Sequence, residues 1–314
     1  MVNWQKKHIL GIKDLTRQEI EIVFNLVKSF KELSQREVKK APALRGKTVI
    51  NLFFENSTRT RTSFELAAKR LSADVLNFSS TTSSLNKGET IVDTIKNLES
   101  YRPDILVIRI GYSNSLHFLS QYTSASIVNA GDGANEHPTQ ALLDMFTVKE
   151  IKGTLEGLSV LIVGDIKHSR VARSNIFGFQ KFSSSLRVCG PPTLIPYEFH
   201  KLGVDISYNL DECLPQADVI IFLRIQRERQ KSSFFPSIRE YVSNFSLTPE
   251  RIKRIKKDCL IMHPGPVNWD IEISSQLKER IHPLILKQVE NGLAIRMATL
   301  YLVGTQKGEY EHTD

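Results

Sequence analysis

Short apolar runs alternate with segments of helical spacing over the first half of the chain. A capping-box pattern, Thr16-Arg17-Gln18-Glu19, opens a helix. The strand-like runs that follow cover residues 47–53, 74–78, 104–110 and 126–129. Helical spacing separates them over 61–71 and 90–100. This alternation predicts a parallel sheet covered by helices.

A second alternating series follows a long helix that begins after His137-Pro138. Its strand-like runs cover residues 158–163, 185–189, 204–208, 218–223 and 259–262. A final helical segment, roughly 284–302, has no strand after it and should pack back on the first domain. The pattern predicts an α/β protein of two domains, each a parallel sheet flanked by helices. We place the divisions at 1–148, 149–284 and 285–314.

Composition fits this picture, because 314 residues suffice for about two domains. Hydrophobic residues make up 41% and charged residues 24%, values typical of a soluble globular protein. The longest apolar runs are too short to span a bilayer, and no signal peptide is visible. We therefore expect a cytoplasmic location and no membrane partner.

A net charge of +8 favours anionic partners, either nucleic acid or small acidic metabolites. The densest basic run, 251–257, should be a solvated face with two buried isoleucines. No aromatic residues interleave with it, so nucleic-acid binding is not expected. The three cysteines, Cys189, Cys213 and Cys259, lie far apart and predict neither a disulfide framework nor a zinc site.

The richest chemistry stands where the first predicted strand leads into a helix. There the chain reads Ser57-Thr58-Arg59-Thr60-Arg61. The first amides of a helix lack partners and carry the positive end of the helix dipole. Two arginines at such an end repel each other unless an anion is bound. The stretch therefore predicts a binding site for a phosphate or carbamoyl-phosphate-type anion.

Further cations follow other predicted strands. Arg109 ends one apolar run and should point into a cleft, while Arg170 and Arg224 follow two strands of the second series. Ligands of open α/β folds bind at this carboxyl edge of the sheet. His137 lies at a helix start, where the dipole favours a neutral imidazole that can donate to a carbonyl. His263-Pro264-Gly265-Pro266 follows the last strand and should hold backbone carbonyls in fixed directions.

Several reaction classes are disfavoured by what these motifs lack. Gly164-Asp165 is not followed by the remaining glycines of a dinucleotide fingerprint, and no Walker A sequence occurs. A serine-nucleophile elbow, a paired-carboxylate signature and a metal-ligand cluster are likewise missing from the sequence. We expect no cofactor and no metal. The inventory favours transfer between two anionic substrates by positioning and charge stabilisation.

Over nearly its whole length the chain resembles the catalytic chains of aspartate carbamoyltransferases, within the aspartate/ornithine carbamoyltransferase superfamily. The matching motifs are Phe53-x-Glu55-x-Ser57-Thr58-Arg59-Thr60, Lys87-Gly88-Glu89-Thr90, His137-Pro138-Thr139-Gln140, Gly164-Asp165-x-Lys167-His168-Ser169-Arg170, Arg224-x-Gln226-x-Glu228-Arg229 and His263-Pro264-Gly265-Pro266. The resemblance implies carbamoyl transfer from carbamoyl phosphate to L-aspartate, giving N-carbamoyl-L-aspartate and phosphate. This is an early step of pyrimidine synthesis and has no covalent intermediate.

The resemblance also implies roles for individual residues. The implied catalytic residues are Arg59, Thr60, Lys87, Arg109 and His137. Carbamoyl phosphate would be bound by Ser57, Thr58, Arg59, Thr60, Ser84 (or its neighbour Ser83), Arg109, His137, Gln140 and Pro266. Aspartate would be bound by Lys87, Arg170, Arg224, Gln226 and Gly265. Region 1–148 would bind carbamoyl phosphate, 149–284 would bind aspartate, and 285–314 would return to the first domain.

The resemblance further implies a homotrimer whose active sites are shared, because the loop with Ser84 and Lys87 reaches a neighbouring subunit in this family. Whether regulatory chains or another pathway enzyme also bind stays open. So do two rival functions: carbamoyl transfer to L-ornithine or another amino acid, and anion or nucleic-acid binding without catalysis. Arg224, Arg227 and Arg229 favour a dicarboxylate over ornithine. Cations recurring at strand ends, instead of covering one face, disfavour the binding protein.

Overall fold

The structure is a computed structural model that describes residues 4–79, 89–225 and 237–305. The chain forms two compact units. Unit 1 comprises Met1–Gly133 and Gly292–Asp314, and unit 2 comprises Ala134–Asn291. The first division, after residue 133, lies before the boundary expected at residue 148, and the second, after residue 291, lies beyond the one expected at residue 284. The assignment of binding roles to the regions 1–148, 149–284 and 285–314 stays a prediction.

Unit 1 is built on a sheet of four parallel strands in the order β2–β1–β3–β4. Its elements are α1 (Arg17–Gln35), β1 (Thr48–Phe53), α2 (Thr58–Arg70), β2 (Asp74–Ser79), α3 (Ile91–Glu99), β3 (Ile105–Ile110), α4 (Ser115–Leu119) and β4 (Ser126–Asp132). The central strands, β1 and β3, are almost continuously buried, as expected for mostly apolar strands whose two faces are covered by helices.

Unit 2 is built on five parallel strands in the order β7–β6–β5–β8–β9. Its elements are α5 (Pro138–Lys152), β5 (Ser159–Val163), α6 (Arg170–Gln180), β6 (Ser185–Cys189), β7 (Asp205–Ser207), α7 (Leu210–Cys213), β8 (Val219–Phe222), α8 (Ile238–Phe245) and β9 (Leu260–Met262). The predicted fold class is thereby confirmed in both units. The positions of α4, α6, α7 and α8 were not predicted from the sequence.

Helix α9 (Lys278–Gly304) ends in unit 1. Tyr301 meets Phe30 of α1 edge-on, with ring centroids 5.9 Å apart. The Ser126 hydroxyl donates to the Val303 carbonyl over 3.1 Å. The predicted return of the C-terminal helix to the first part of the chain is confirmed. The helix begins earlier than expected, because Pro283 lies inside it instead of preceding it.

The basic run 251–257 has the predicted arrangement. Ile252 and Ile255 are buried, and the guanidinium groups of Arg251 and Arg254 each approach Asp211 to 3.1 Å. These ion pairs hold the pKa of the Asp211 carboxyl below its usual value, chiefly through the hydrogen bond from Arg251. Across 4–79, 89–225 and 237–305, we find no helix with the length and apolar character needed to cross a bilayer.

Candidate active site

The order of strands in each sheet reverses at one place, between β1 and β3 in unit 1 and between β5 and β8 in unit 2. Ligands of open α/β sheets bind beside the carboxyl ends of strands at such a reversal. Arg109 lies opposite Phe53 in the pairing of β3 with β1. The amide of Phe54 donates to the Arg109 carbonyl over 2.8 Å. Arg109 and the start of α2 therefore share one edge of the unit 1 sheet.

Helix α2 begins without a side-chain cap. Ser57 occupies the N-cap position, but its hydroxyl makes no capping hydrogen bond, and the first turn carries no acidic residue. Instead that turn carries exposed Arg59 beside exposed Thr58. The positive end of the helix dipole and an arginine thus occur in the same helical turn, an arrangement that favours a bound anion.

The Arg109 side chain is held beside this helix start. Its Nη1 donates to the Ala130 carbonyl over 3.3 Å. Its Nε lies 3.4 Å from a carboxylate oxygen of Glu55, which belongs to the connection from β1 to α2. The guanidinium is mostly buried, with 14% of the side chain exposed. An arginine held in this way is suited to bind a carbonyl or phosphate oxygen without reorganisation.

In unit 2, helix α5 also begins without a side-chain cap. His137 is the N-cap residue, and its side chain makes no capping hydrogen bond. Its backbone N–H donates to the Ser174 hydroxyl over 2.9 Å, and that hydroxyl donates to Glu136 over 2.8 Å. In the first turn, Thr139 is fully buried, and its hydroxyl has no hydrogen-bond partner among the described residues. The turn before α5 is therefore fixed by buried side chains.

The ends of β5 and β8 carry the cations predicted for the second substrate. Gly164 has a φ of +124°, and a Cβ there would lie 3.0 Å from the Leu223 carbonyl, so the two strand ends can approach only at glycine. Asp165 follows and accepts from the His168 amide over 3.2 Å. This turn delivers Arg170, 4% exposed, to the first position of α6. A nearly buried cation at a positive helix end is favourable beside an anion.

Arg224 is half-buried just after β8, and its chain neighbour Ile225 is held by a buried carboxylate. The Ile225 amide donates to Glu272 Oε1 over 2.9 Å, and the Asn268 amide donates to Glu272 Oε2 over 2.6 Å. One side chain therefore joins the loop after β8 to the loop after β9. The sequence does not point to Glu272, because two of its partners are backbone amides, which leave no mark in the sequence.

The loop after β9 is also held at its start. The His263 amide donates to Gln288 Oε1 over 3.1 Å, and the Gly265 amide donates to His263 Nδ1 over 2.8 Å. Gly265 has a φ of +67°, a conformation that favours glycine. These bonds support the expectation that the backbone of this loop points in fixed directions.

Each unit therefore brings its own group of predicted residues together. Unit 1 places Ser57, Thr58, Arg59, Thr60 and Arg109 at one sheet edge. Unit 2 places His137, Gln140, Arg170, Arg224, Gly265 and Pro266 at helix starts and strand ends. The remaining predicted residues, Ser83, Ser84, Lys87 and Gln226, lie outside the described residues.

Two family models match the chain in sequence order. The carbamoyl-phosphate-binding domain of aspartate/ornithine carbamoyltransferases matches residues 7–150, and the aspartate/ornithine-binding domain of the same family matches residues 156–303. The chain is 54% identical over 302 residues to the aspartate carbamoyltransferase catalytic subunit of Syntrophus aciditrophicus, covering 96% of this chain and 98% of that protein.

Solved structures give the same result. The aspartate transcarbamoylase of Trypanosoma cruzi in complex with carbamoyl aspartate and phosphate is 30% identical, with a TM-score of 0.85. The match covers 96% of this chain and 97% of that one. The catalytic subunit of the M. jannaschii enzyme is 32% identical, with a TM-score of 0.84, over 97% of this chain and 100% of that one. On sequence and fold alike, the chain belongs to the aspartate/ornithine carbamoyltransferase family.

Proposed function

We propose that this protein transfers the carbamoyl group of carbamoyl phosphate to the amine of L-aspartate, releasing N-carbamoyl-L-aspartate and phosphate. The observation that carries the proposal is the uncapped, arginine-bearing start of α2 beside Arg109. It occurs in a chain 54% identical to an aspartate carbamoyltransferase catalytic subunit over nearly its whole length. The reaction is an early step of pyrimidine synthesis.

The phosphate of the first substrate binds at the start of α2. Ser57, Thr58 and Thr60 contribute backbone amides and hydroxyls, and Arg59 contributes charge. The missing side-chain cap supports this role, because a capping carboxylate or hydroxyl would compete with the phosphate for the same amides.

The carbamoyl group lies between donors and acceptors. Arg109, His137 and Thr60 donate to its carbonyl oxygen, while Gln140 and the backbone at Pro266 accept from its amide. As the aspartate amine attacks, negative charge grows on that oxygen. Each donor waiting there lowers the barrier by about 2.7–4 kcal/mol. Holding the two substrates in line contributes at most ~7–11 kcal/mol.

The aspartate carboxylates bind to Arg170 and Arg224, with Lys87, Gln226 and the backbone at Gly265. The nearly buried position of Arg170 supports this role, because a desolvated guanidinium binds a carboxylate more strongly than an exposed one does. A phosphate oxygen accepts the proton that leaves the amine. No covalent intermediate forms with the protein.

The test is formation of ureido product from carbamoyl phosphate, with L-aspartate and L-ornithine supplied in parallel. We expect turnover with aspartate alone. Turnover with ornithine would overturn the role of Arg224 while leaving the phosphate site intact. No product with either acceptor would contradict the proposed reaction.

We also propose a cytoplasmic homotrimer in which Ser84 and Lys87 complete the site of a neighbouring subunit. The test mixes two inactive variants, Arg59→Ala and Lys87→Ala, under conditions that exchange subunits. Mixed trimers then contain some sites with both residues intact, so activity should reappear. Activity that stays absent in verified mixed trimers would contradict shared sites.

A further inference from the structure

A buried carboxylate that the reaction scheme does not use lies one helical turn after Gln140. Asp144 of α5 is fully buried and accepts hydrogen bonds from three side-chain amides. The donors are Gln140 Nε2 at 3.0 Å, Asn175 Nδ2 at 3.0 Å and Gln288 Nε2 at 2.7 Å. All four residues lie in unit 2.

Both oxygens of Asp144 accept from NH2 groups, so the carboxyl group sets which end of each amide faces it. Gln140 must present its NH2 group to Asp144, and its carbonyl oxygen must then face away. No described residue donates to that oxygen. Gln140 is thereby left with a hydrogen-bond acceptor of fixed direction.

The same carboxylate acts on a second acceptor through α9. Gln288 gives its NH2 group to Asp144, which leaves its carbonyl oxygen to accept from the His263 amide over 3.1 Å. His263 in turn accepts from the Gly265 amide over 2.8 Å. Asp144 therefore fixes both Gln140 and the loop that carries Pro266.

We infer that Asp144 is a positioning residue for recognition of the substrate NH2 group. This inference rests on the proposed function, in which Gln140 and the backbone at Pro266 accept from the carbamoyl amide. By setting the polarity of both acceptors, Asp144 makes the site select carbamoyl phosphate over acetyl phosphate, which carries a methyl group in place of the NH2 group. A site built to bond an N–H group discriminates strongly against analogues that lack it.

The experiment measures kcat/KM for carbamoyl phosphate and for acetyl phosphate, with L-aspartate as acceptor. Wild-type enzyme and Asp144→Leu are compared. With acetyl phosphate the amine nitrogen forms the new bond to the acetyl carbon, and the bond between that carbon and the phosphate oxygen breaks. The leaving phosphate takes the amine proton, and N-acetyl-aspartate and hydrogen phosphate are released. We expect Asp144→Leu to lower the carbamoyl-over-acetyl ratio at least about tenfold, because Gln140 and Gln288 lose the acceptor that orients them. A ratio is insensitive to the fraction of folded enzyme.

Asp144→Asn is the conservative variant. Its amide oxygen can still accept from Gln140 and Gln288, and its NH2 group can donate to the oxygen of a rotated Asn175 amide, at the cost of the bond that Asn175 Nδ2 gives to the Val171 carbonyl over 3.1 Å. We expect this variant to restore most of the discrimination. Asn291→Leu is the matched control. Asn291 of α9 donates to Thr147 and Glu150 of α5, each over 3.0 Å, and makes no hydrogen bond to Gln140. Its ratio should equal that of wild type.

An unchanged ratio in Asp144→Leu would overturn the inference and leave Asp144 a structural residue. If that variant yields no folded enzyme, Gln288→Leu decides, since it removes the hold on the His263 loop and should lower the ratio several-fold. An unchanged ratio there would overturn the inference as well. Failure of the proposed function looks different, because wild-type enzyme would then form no N-carbamoyl-aspartate.

Discussion

Helix α1 begins with a complete capping box, whereas helix α2 begins with arginine and no cap. In α1, the Thr16 hydroxyl accepts from the Glu19 amide over 3.1 Å, and the Glu19 carboxylate accepts from the Thr16 amide over 2.7 Å. Helix α3 repeats this arrangement with Thr90 and Asp93. In α2 the corresponding Ser57 hydroxyl caps nothing. Helix α4 also lacks a side-chain cap, but its first turn carries no arginine. It is the arginine at the uncapped start of α2 that favours a bound anion there.

The two kinds of helix start make different demands on the chain. A capped start is satisfied within the protein, so changing it should alter stability and leave chemistry alone. In the proposed reaction the uncapped start of α2 is satisfied by the substrate, so changing it should alter chemistry far more than stability. The following four experiments separate these demands.

Arg59→Ala should have the largest effect. Removing this charge from the start of α2 should lower kcat by about 10²–10³, the usual loss when one donor to a developing or leaving anion is removed. Ureido-product formation measures it. Lys69→Ala, at the other end of the same helix, removes the same charge from an exposed pair with Glu65 at 2.6 Å and should change kcat less than twofold. Equal losses in both variants would contradict a local anion site.

Ser57→Asp should convert the open start of α2 into a capped one. An aspartate at the N-cap accepts from the helix amides and places its charge at the proposed phosphate site. We expect the apparent Km for carbamoyl phosphate to rise by about 10²-fold through like-charge repulsion, while the melting temperature holds or rises. Ser57→Asn, a neutral cap, is the control for the charge. An unchanged Km in Ser57→Asp would place the phosphate elsewhere.

Thr16→Ala should do the reverse at α1. Loss of the cap should lower the free energy of unfolding by about 1 kcal/mol, which urea denaturation measures. The kcat of the folded enzyme should not change, because α1 carries no substrate group. Thr16→Ser keeps a capping hydroxyl and should keep most of the stability. A large fall in kcat for Thr16→Ala would contradict the prediction that the α1 cap serves stability alone.

Low pH should destabilise the protein through His8, whose ring is hydrogen-bonded within the protein. Burial, with help from Lys7 and His117, lowers the pKa of His8 from 6.5 to about 4. The neutral ring accepts from the Ile127 amide over 3.0 Å. Between those two values the unfolded chain binds more protons than the folded one, so stability should fall as the pH is lowered from about 6.5 toward 4.

Urea denaturation across this pH window measures the loss, which should reach about 1 kcal/mol once solvent screening of the partly exposed ring is allowed for. His8→Asn offers a side-chain oxygen in place of Nδ1 and does not titrate, so its stability should depend less on pH. An equally steep loss in His8→Asn would assign the effect to other groups.

The sequence predicted the strands well because their signal is local. Every predicted strand of both sheets is present, with ends shifted by a few residues at most. The start of α9 was missed because Pro283 signals a helix start, whereas here a short 3₁₀ turn, Ser275–Leu277, leads into a helix that already contains it. The last three residues of β4, 130–132, were not predicted as strand because Gly131 and Asp132 are rare in strands.

The candidate site divides in the same way. Ser57 to Thr60, Arg109 and Arg170 could be predicted because charge at a strand end has few structural uses. Asp144 could have been noticed, since a glutamine and an aspartate four residues apart on a helix form a hydrogen bond. Its third partner, Gln288, is 144 residues away in the chain, and no local sequence pattern predicts a contact over that separation.

The end of α9 also has a consequence for the order in which the protein is made. Unit 1 is discontinuous, since it needs residues after 291 to complete its packing. Leu44 and Ile105 lie against Gly304 so closely that a Cβ there would come within 2.7 Å of Leu44. On the ribosome, the first 133 residues emerge on the order of ten seconds before α9 does. During translation, the apolar side chains of unit 1 that pack against α9 therefore stay uncovered until the last helix has been synthesised.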